Sequence, residues 1–313
     1  MLFSLLLAAG TAAAKPCEVK SDFTNLVTFG DSYTDNGRLN YYSNHGGQGP
    51  PAGVYQEVQN VTASGGRTWP QYVQEYTGAN LRDYAVSGAT CSNKIVEREA
   101  AWIHRSFPSV TEDELPGFEG DIAFKTLYPD RTAKNTIYAL WIGTNDLGWD
   151  GFLSDSELNG ATITTFVECV WNVFDRIYNA GGRRFVLFNE APLDLSPLYA
   201  PETEGGIGNS QYWKTKASYN ETQYQQKMLQ YTTSVNTLFE YGLQAVTKSR
   251  WPQATISLFN VHQLMTDIHN NPSQYLAAPA STTYFHQCDP VSGACTDLPG
   301  SLDQYMWLSL IHI

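Results

Sequence analysis

Three short motifs contain the residue types that acyl transfer requires, a nucleophile and a set of hydrogen-bond donors. Ser32 lies in the stretch Phe29–Gly37, directly after an apolar, strand-like run, and is the candidate nucleophile. Gly88 and Asn145 each follow a further run of the same kind. The N–H groups of Ser32 and Gly88, with the Asn145 side-chain amide, could donate to the oxyanion of a tetrahedral intermediate, where each donor contributes ~2.7–4 kcal/mol. The pattern therefore predicts an oxyanion hole built from three separate turns.

These turns can meet only if the strands before them lie in one parallel sheet. Strand-like apolar runs alternate with helical segments, which predicts a parallel sheet covered by helices on both faces. The predicted strands are Leu26–Phe29, Leu81–Val86, Thr136–Ile142, Arg184–Asn189 and Thr255–Asn260. The predicted helices are Gly66–Tyr76, Ile163–Ala180 and Asn220–Lys248. Because parallel strands end at the same edge of a sheet, the three motifs should converge there.

Other residues near the motifs are given supporting roles. Asp31, Asp35 and Asp146 are expected to stiffen the ends of the strands by hydrogen bonds rather than to react. Trp149 and Phe152 follow the third motif and could stack on a sugar ring, with core packing as the alternative.

Two long segments lack periodic patterning and are candidates for the walls of a substrate cleft. They are Asn40–Ser64 and Leu193–Gln211, and loops of this length in a compact domain are uncommon unless they are functional. The acidic run at 112–114 is interpreted instead as a solvated loop.

The composition favours a neutral ligand outside the cell. The 313 residues include 31 acidic and 19 basic side chains, and the net charge of -12 argues against nucleic acid or an anionic membrane as partner. Charged residues are only 16% of the chain, and the many Trp and Tyr residues suit stackable ligands such as sugars. No phosphate-binding glycine motif and no metal-ligand array is recognisable, so neither a cofactor nor a metal is expected.

Residues 1–14 are predicted to be a secretory signal peptide. An apolar run at Leu2–Ala9 precedes the small residues Ala12–Ala14, which resemble a cleavage site. Glycosylation sequons at Asn60 and Asn220 agree with secretion. The rest, 15–307, is interpreted as a single domain and the protein as a monomer.

The five cysteines suit the oxidising environment outside the cell. Cys288 and Cys295 flank a turn-rich loop and are predicted to form a local disulfide, with a metal pair assisted by His286 as the alternative. Cys169 lies in an apolar helical stretch and is expected to be a buried thiol, and the pairing of Cys17 and Cys91 stays open.

The three motifs, in this order, resemble those of the GDSL/SGNH hydrolases. Segments 64–70 and 139–147 are similar to the secreted fungal acetyl esterases of carbohydrate esterase family 16, which remove acetyl groups from hemicellulose oligosaccharides. The resemblance implies a three-layer α/β/α sandwich with a flavodoxin-like five-stranded parallel sheet in the order 2-1-3-4-5. It also implies Ser32 as nucleophile, with Gly88 and Asn145 completing the oxyanion hole.

The chain departs from the family at its last residues. The family supplies its base in an Asp-x-x-His motif near the C-terminus, followed by a final helix that is missing here. By register His312 occupies the position of the base, but Ser309 occupies that of the aspartate. Residues 308–313 also read like a translated sequencing adapter, so we treat them as a non-native tail, a hypothesis that sequencing the 3′ end of the transcript would test.

The sequence thus predicts a secreted serine esterase that acts on acetyl or other short-chain esters, with an acetylated oligosaccharide or another small ester as substrate. Two alternatives stay open. One is a catalytically impaired carbohydrate-binding protein on an esterase scaffold, since a neutral Ser309 cannot stabilise an imidazolium as a carboxylate does. The other is an esterase of longer acyl chains.

Overall fold

A computed structural model describes residues 22–60, 62–63, 65–289 and 291–312. The predicted signal peptide and Cys17 lie outside these residues. A five-stranded sheet forms the centre of the molecule, and all of its strand pairs are parallel. Its strands are β1 (Asn25–Gly30), β2 (Asn80–Asp83), β3 (Thr136–Trp141), β4 (Arg184–Phe188) and β5 (Thr255–Phe259). The spatial order β2-β1-β3-β4-β5 confirms the predicted fold class.

The register of the sheet brings two of the motifs to the same level. β1 is buried along its whole length, and it pairs with β3 so that Gly30 lies opposite Trp141. Ser32 and Gly143 therefore each lie two residues beyond the Gly30–Trp141 pair, where the chain leaves the sheet. On the other side, Val86 N–H donates to the Gly30 carbonyl at 3.0 Å, which carries the second motif to this edge.

Helices flank the sheet and connect its strands, and three of them match the predicted ones to within a few residues. They are α1 (Arg38–Asn44), α2 (Trp69–Thr77), α3 (Leu115–Asp121), α4 (Thr144–Leu147), α5 (Ile163–Asn179), α6 (Glu221–Arg250), α7 (Val261–Asn270) and α8 (Pro272–Tyr275). α6 begins where the Asn220 side chain accepts a hydrogen bond from Gln223 N–H, the usual device at a helix start. Among the described residues no helix is long and apolar enough to cross a bilayer.

Short elements fill the connections. Two-stranded pairs are formed by Glu99–Ala100 with Arg105–Ser106, Ser281–Tyr284 with Tyr305–Trp307, and His286–Cys288 with Cys295–Asp297. Val110–Glu114 is a single turn of π-helix. Single turns of 3-10 helix lie at Ala101–Ile103, Phe152–Ser154, Leu193–Leu195, Glu202–Glu204, Lys216–Ser218 and Leu302–Gln304.

The acidic run at 112–114 is not the solvated loop that its composition suggests. Glu114 is fully buried and accepts hydrogen bonds from Gly30 N–H at 3.0 Å and Val86 N–H at 3.2 Å. Glu112 accepts hydrogen bonds from the Ser92 and Ser109 hydroxyls. The prediction was wrong because these carboxylates find backbone and hydroxyl donors from distant parts of the chain.

Two disulfides cross-link the described chain. Cys288 pairs with Cys295, so these sulfurs are not free thiolates for a metal, although His286 lies beside them. Cys91 pairs with Cys169 across a separation of 78 residues. The expectation of a free thiol at Cys169 was therefore wrong, and no local spacing could have predicted a pair so far apart in sequence.

Candidate active site

A cavity of about 600 Å³ opens at the edge of the sheet where the strands end. Both long aperiodic segments contribute to its wall, as predicted. Their cavity-lining residues are Asn40, Thr62, Ala63, Leu198, Tyr199 and Gln211. The buried side chain of Lys216 braces the second segment, because its ammonium donates to the carbonyls of Ala200 and Ile207, each at 2.6 Å.

Ser32, Gly88 and Asn145 all line this cavity. Ser32 is 7% exposed. Neither its N–H nor that of Gly88 has a hydrogen-bond partner among the described residues. Gly88 has a φ of +88°, and a Cβ there would lie 2.5 Å from the Phe107 ring. Only glycine fits this turn without strain.

The Asn145 amide has a defined orientation. Its Nδ2 donates to the Ala89 carbonyl at 2.8 Å, and its Oδ1 accepts from the Arg98 guanidinium at 2.9 Å. An amide nitrogen carries two hydrogens, so one N–H remains for a ligand. With the N–H groups of Ser32 and Gly88, this gives a cluster of donors suited to a negative oxygen.

The aspartates named from the sequence make different contacts. Asp35 accepts a hydrogen bond from Ser87 N–H at 2.7 Å, which ties the first motif to the second. Asp146 accepts from Cys91 N–H at 3.0 Å, which ties the third motif to the second. Asp31 accepts from Tyr33 N–H within its own turn, while its other oxygen is buried without a partner among the described residues.

Burial raises the pKa values of four carboxyl groups around the site. Desolvation raises the pKa of Asp31 and of Asp146 to about 7 and that of Asp83 to about 8. Desolvation also raises the pKa of Glu190, which the sequence analysis did not single out, well above its usual value. The Glu190 carboxyl packs against Gly143, where the φ of +136° and the lack of space for a Cβ require glycine.

His312 lines the same cavity as Ser32. Its Nδ1 is 2.6 Å from Ser309 Oγ, and its Nε2 is buried without a hydrogen-bond partner among the described residues. Burial lowers the pKa of His312 to about 4, so its imidazole is neutral at pH 7. No hydrogen bond joins His312 to Ser32 within the described chain, and such contacts are often loose before substrate binds.

Residues 308–312 are held against the body of the protein. Leu198 N–H donates to the Leu310 carbonyl at 3.0 Å, and the Tyr33 hydroxyl donates to the Ile311 carbonyl at 2.7 Å. The Tyr33 ring also packs edge-on against His312. The hypothesis that this segment is non-native stays untested.

The aromatic residues divide between core and cavity. Phe152 is a buried core residue and does not line the cavity, so the sugar-stacking alternative for it was wrong. Trp149 lines the cavity and stacks on Trp213 with ring centroids 4.2 Å apart. Trp102, which sequence reasoning missed, lines the cavity although the residue is 53% exposed.

Both predicted glycosylation sites are on the surface. Asn60 and Asn220 are exposed, although Asn220 uses its Oδ1 to cap α6. Modification at either asparagine stays a prediction.

Comparison with known proteins identifies a family and two relatives. Residues 26–279 match the GDSL-like Lipase/Acylhydrolase family. An acetylesterase from Hypocrea jecorina is 51% identical over 294 residues, which cover 93% of this chain and 84% of that protein. An acetylesterase from Thermothelomyces thermophilus is 32% identical over 205 residues, which cover 62% of each chain.

Among solved structures, an acetylxylan esterase from Geobacillus stearothermophilus is similar over 77% of this chain and 90% of its own. The sequence identity is 15% and the TM-score is 0.29, a likeness too weak to carry an argument about the site. The family match over most of the chain and the close relatives show that this protein belongs to the GDSL-like lipase/acylhydrolase family and is a carboxylic ester hydrolase.

Proposed function

We propose that this protein is a secreted serine esterase that removes acetyl groups from sugars. The observation that carries the proposal is that Ser32 shares one cavity with Gly88 and Asn145, whose N–H groups are suited to a negative oxygen. The names of the relatives, both acetylesterases, support the same acyl group. The apolar segment at 1–14 and the sequons support secretion.

In the proposed mechanism Ser32 Oγ attacks the acetyl carbonyl carbon while His312 Nε2 accepts the hydroxyl proton. The carbonyl oxygen becomes negative and receives hydrogen bonds from the N–H groups of Ser32, Gly88 and Asn145. The intermediate collapses, the sugar oxygen leaves with the proton from His312, and acetyl-Ser32 remains. Water, deprotonated by His312, then attacks the acetyl carbon. The second intermediate collapses to release acetate, and His312 returns the proton to Ser32 Oγ.

The weak part of this machinery is the support of the base. Ser309 Oγ lies 2.6 Å from His312 Nδ1 and can orient the ring. A hydroxyl carries no charge, however, so it does not stabilise the imidazolium that forms during the attack as a triad carboxylate does. We therefore propose slow turnover for the chain with this sequence.

The lining of the cavity supports a sugar as the alcohol part of the substrate. Trp102, Trp149 and Tyr212 present aromatic surface to it, and aromatic rings with one polar end suit ligands that are partly apolar and partly hydrated. A volume of about 600 Å³ lies within the usual range of small-molecule sites.

Ser32→Ala tests the nucleophile. We expect the variant to lose acetate release from p-nitrophenyl acetate and from acetylated xylo-oligosaccharides, because the proposed acyl-enzyme forms on the Ser32 hydroxyl. Oligosaccharide binding, followed by tryptophan fluorescence, should persist. Ser249→Ala, which removes an exposed hydroxyl on α6, should retain full activity. Unchanged turnover in Ser32→Ala would refute the assignment.

The pH dependence of kcat/KM tests the base. The base must be neutral to accept a proton, and burial lowers the pKa of His312 to about 4. Activity should therefore persist through pH 5 and fall as the pH drops through about 4, in contrast to a solvated histidine near 6.5. The check is a profile measured over pH 3–8 with a substrate stable in that range. An acidic limb centred near 6.5 would contradict the burial of the base.

Ser309→Asp tests the support of the base. The new carboxylate would lie beside His312 Nδ1 and stabilise the imidazolium, so we expect kcat to rise toward the ~10⁴-fold that a triad carboxylate contributes. Ser309→Asn, which has a similar shape but no charge, is the matched control and should stay near the parent rate. An aspartate variant no faster than the asparagine variant would argue that His312 is not the base.

A further inference from the structure

One charged side chain contacts both residues that are proposed to donate to the oxyanion beside Ser32. An Arg98 guanidinium nitrogen donates to the Gly88 carbonyl at 2.8 Å and to Asn145 Oδ1 at 2.9 Å. Arg98 lines the cavity and its side chain is 18% exposed. It has no assigned role in the mechanism above.

The surroundings of Arg98 hold the guanidinium in place. Its carbon lies 5.0 Å from the centre of the Phe107 ring, within the range of a cation–π contact. Phe107 N–H donates to the Arg98 carbonyl at 2.8 Å, which closes the hairpin that carries both residues. The Asp150 carboxylate is 3.6 Å from the guanidinium and offsets only part of its charge, because this carboxylate is largely exposed.

The contact with Arg98 fixes the orientation of the Asn145 amide. A guanidinium can only donate and the Ala89 carbonyl can only accept. The amide oxygen must therefore face Arg98 and the amide nitrogen must face Ala89, as the structure has them. Rotation of the amide by 180° would oppose donor to donor and acceptor to acceptor.

The positive charge of Arg98 has a second effect on the Asn145 amide. A hydrogen bond donated by a cation is stronger than one between neutral groups. When the oxygen of an amide accepts such a bond, the amide is polarised and its N–H becomes a stronger donor. Arg98 contacts the oxygen of the Asn145 amide and also the carbonyl of Gly88. The contact with Asn145 Oδ1 strengthens the Asn145 N–H as a donor, because both belong to one amide. The Gly88 carbonyl belongs to the peptide unit of the next residue, so that contact positions the Gly88 turn without polarising the Gly88 N–H.

We propose that Arg98 is a positioning residue for the oxyanion hole, holding the Asn145 amide with its nitrogen toward the substrate and strengthening it as a donor. This inference rests on the proposed function, since it needs an oxyanion to stabilise. It predicts an effect on kcat rather than on KM, because the oxyanion exists only in the transition state and the intermediate.

The test is a double-mutant cycle on acetyl ester hydrolysis. Arg98→Met should lower kcat by about 10²-fold, the order of one lost oxyanion donor, with little change in KM. In an Asn145→Ala background the same change should cost less than about threefold, since the residue on which Arg98 acts is gone. Arg98→Lys keeps the positive charge but loses the planar guanidinium with its fixed N–H donors, so it should give an intermediate kcat.

The control is Arg105→Met, a second arginine of the same hairpin that pairs with Asp113 at 2.8 Å and does not line the cavity. It should keep the parent kcat. Three results would overturn the proposal. One is a kcat of the double variant that is lowered by the product of the two single losses. The others are a loss of kcat in Arg105→Met equal to that in Arg98→Met, and a change in KM alone in Arg98→Met. Turnover that persists in the Ser32→Ala variant would instead overturn the proposed function. The failure of this proposal and the failure of the proposed function are therefore distinguishable.

Discussion

Buried carboxyl groups that accept hydrogen bonds from backbone N–H groups hold the three motif turns together. Asp35 joins the first turn to Ser87, Asp146 joins the third turn to Cys91, and Glu114 binds Gly30 and Val86 at once. Each contact links residues far apart in sequence. A hydrogen bond is electrostatically stronger in the protein interior than in water, so these buried contacts hold the turns in place before substrate binds. The proposed oxyanion donors need this rigidity, because an oxyanion hole works only when its dipoles are oriented in advance.

The same burial has an electrostatic cost. Desolvation raises the pKa of Asp31 and Asp146 to about 7, and these two carboxyls and Glu190 repel one another. Hydrogen bonds from backbone N–H groups oppose this effect at Asp31 and Asp146. The positive charge of Arg98 also lowers the pKa of both aspartates. Arg98 therefore stabilises the charged forms of Asp31 and Asp146 and also orients the Asn145 amide.

Much of the fold could be predicted because its signals are local. Buried strands such as β1 and β3 are nearly continuous apolar runs, and the apolar residues of α5 show regular helical spacing. The type and order of these secondary-structure elements could therefore be predicted from the sequence. Ser32, Gly88 and Asn145 were found because each follows such a strand. Arg98, Glu114 and the Cys91–Cys169 bridge were missed because their roles depend on partners brought close only by folding. The composition of a segment does not reveal which distant N–H group it will meet.

The end of the chain contrasts with this rigid frame. His312 depends on a short turn in which its own carbonyl accepts from Leu308 N–H and its ring contacts Ser309. Contacts from Tyr33 and Leu198 hold the backbone of this turn, but no carboxylate supports the imidazole among the described residues. The turns of the proposed oxyanion hole are thus held by several hydrogen bonds, whereas the proposed base has only a neutral partner among the described residues.

The most direct measurement of the central claim is the rate at which a fluorophosphonate labels the protein, with the modified peptide identified by mass spectrometry. The phosphonyl oxygen of the adduct would occupy the position of the oxyanion. The account predicts a single adduct on Ser32 and labelling slower by about 10²-fold in Asn145→Ala. An adduct on another residue, or equal labelling rates in the parent and in Asn145→Ala, would contradict it.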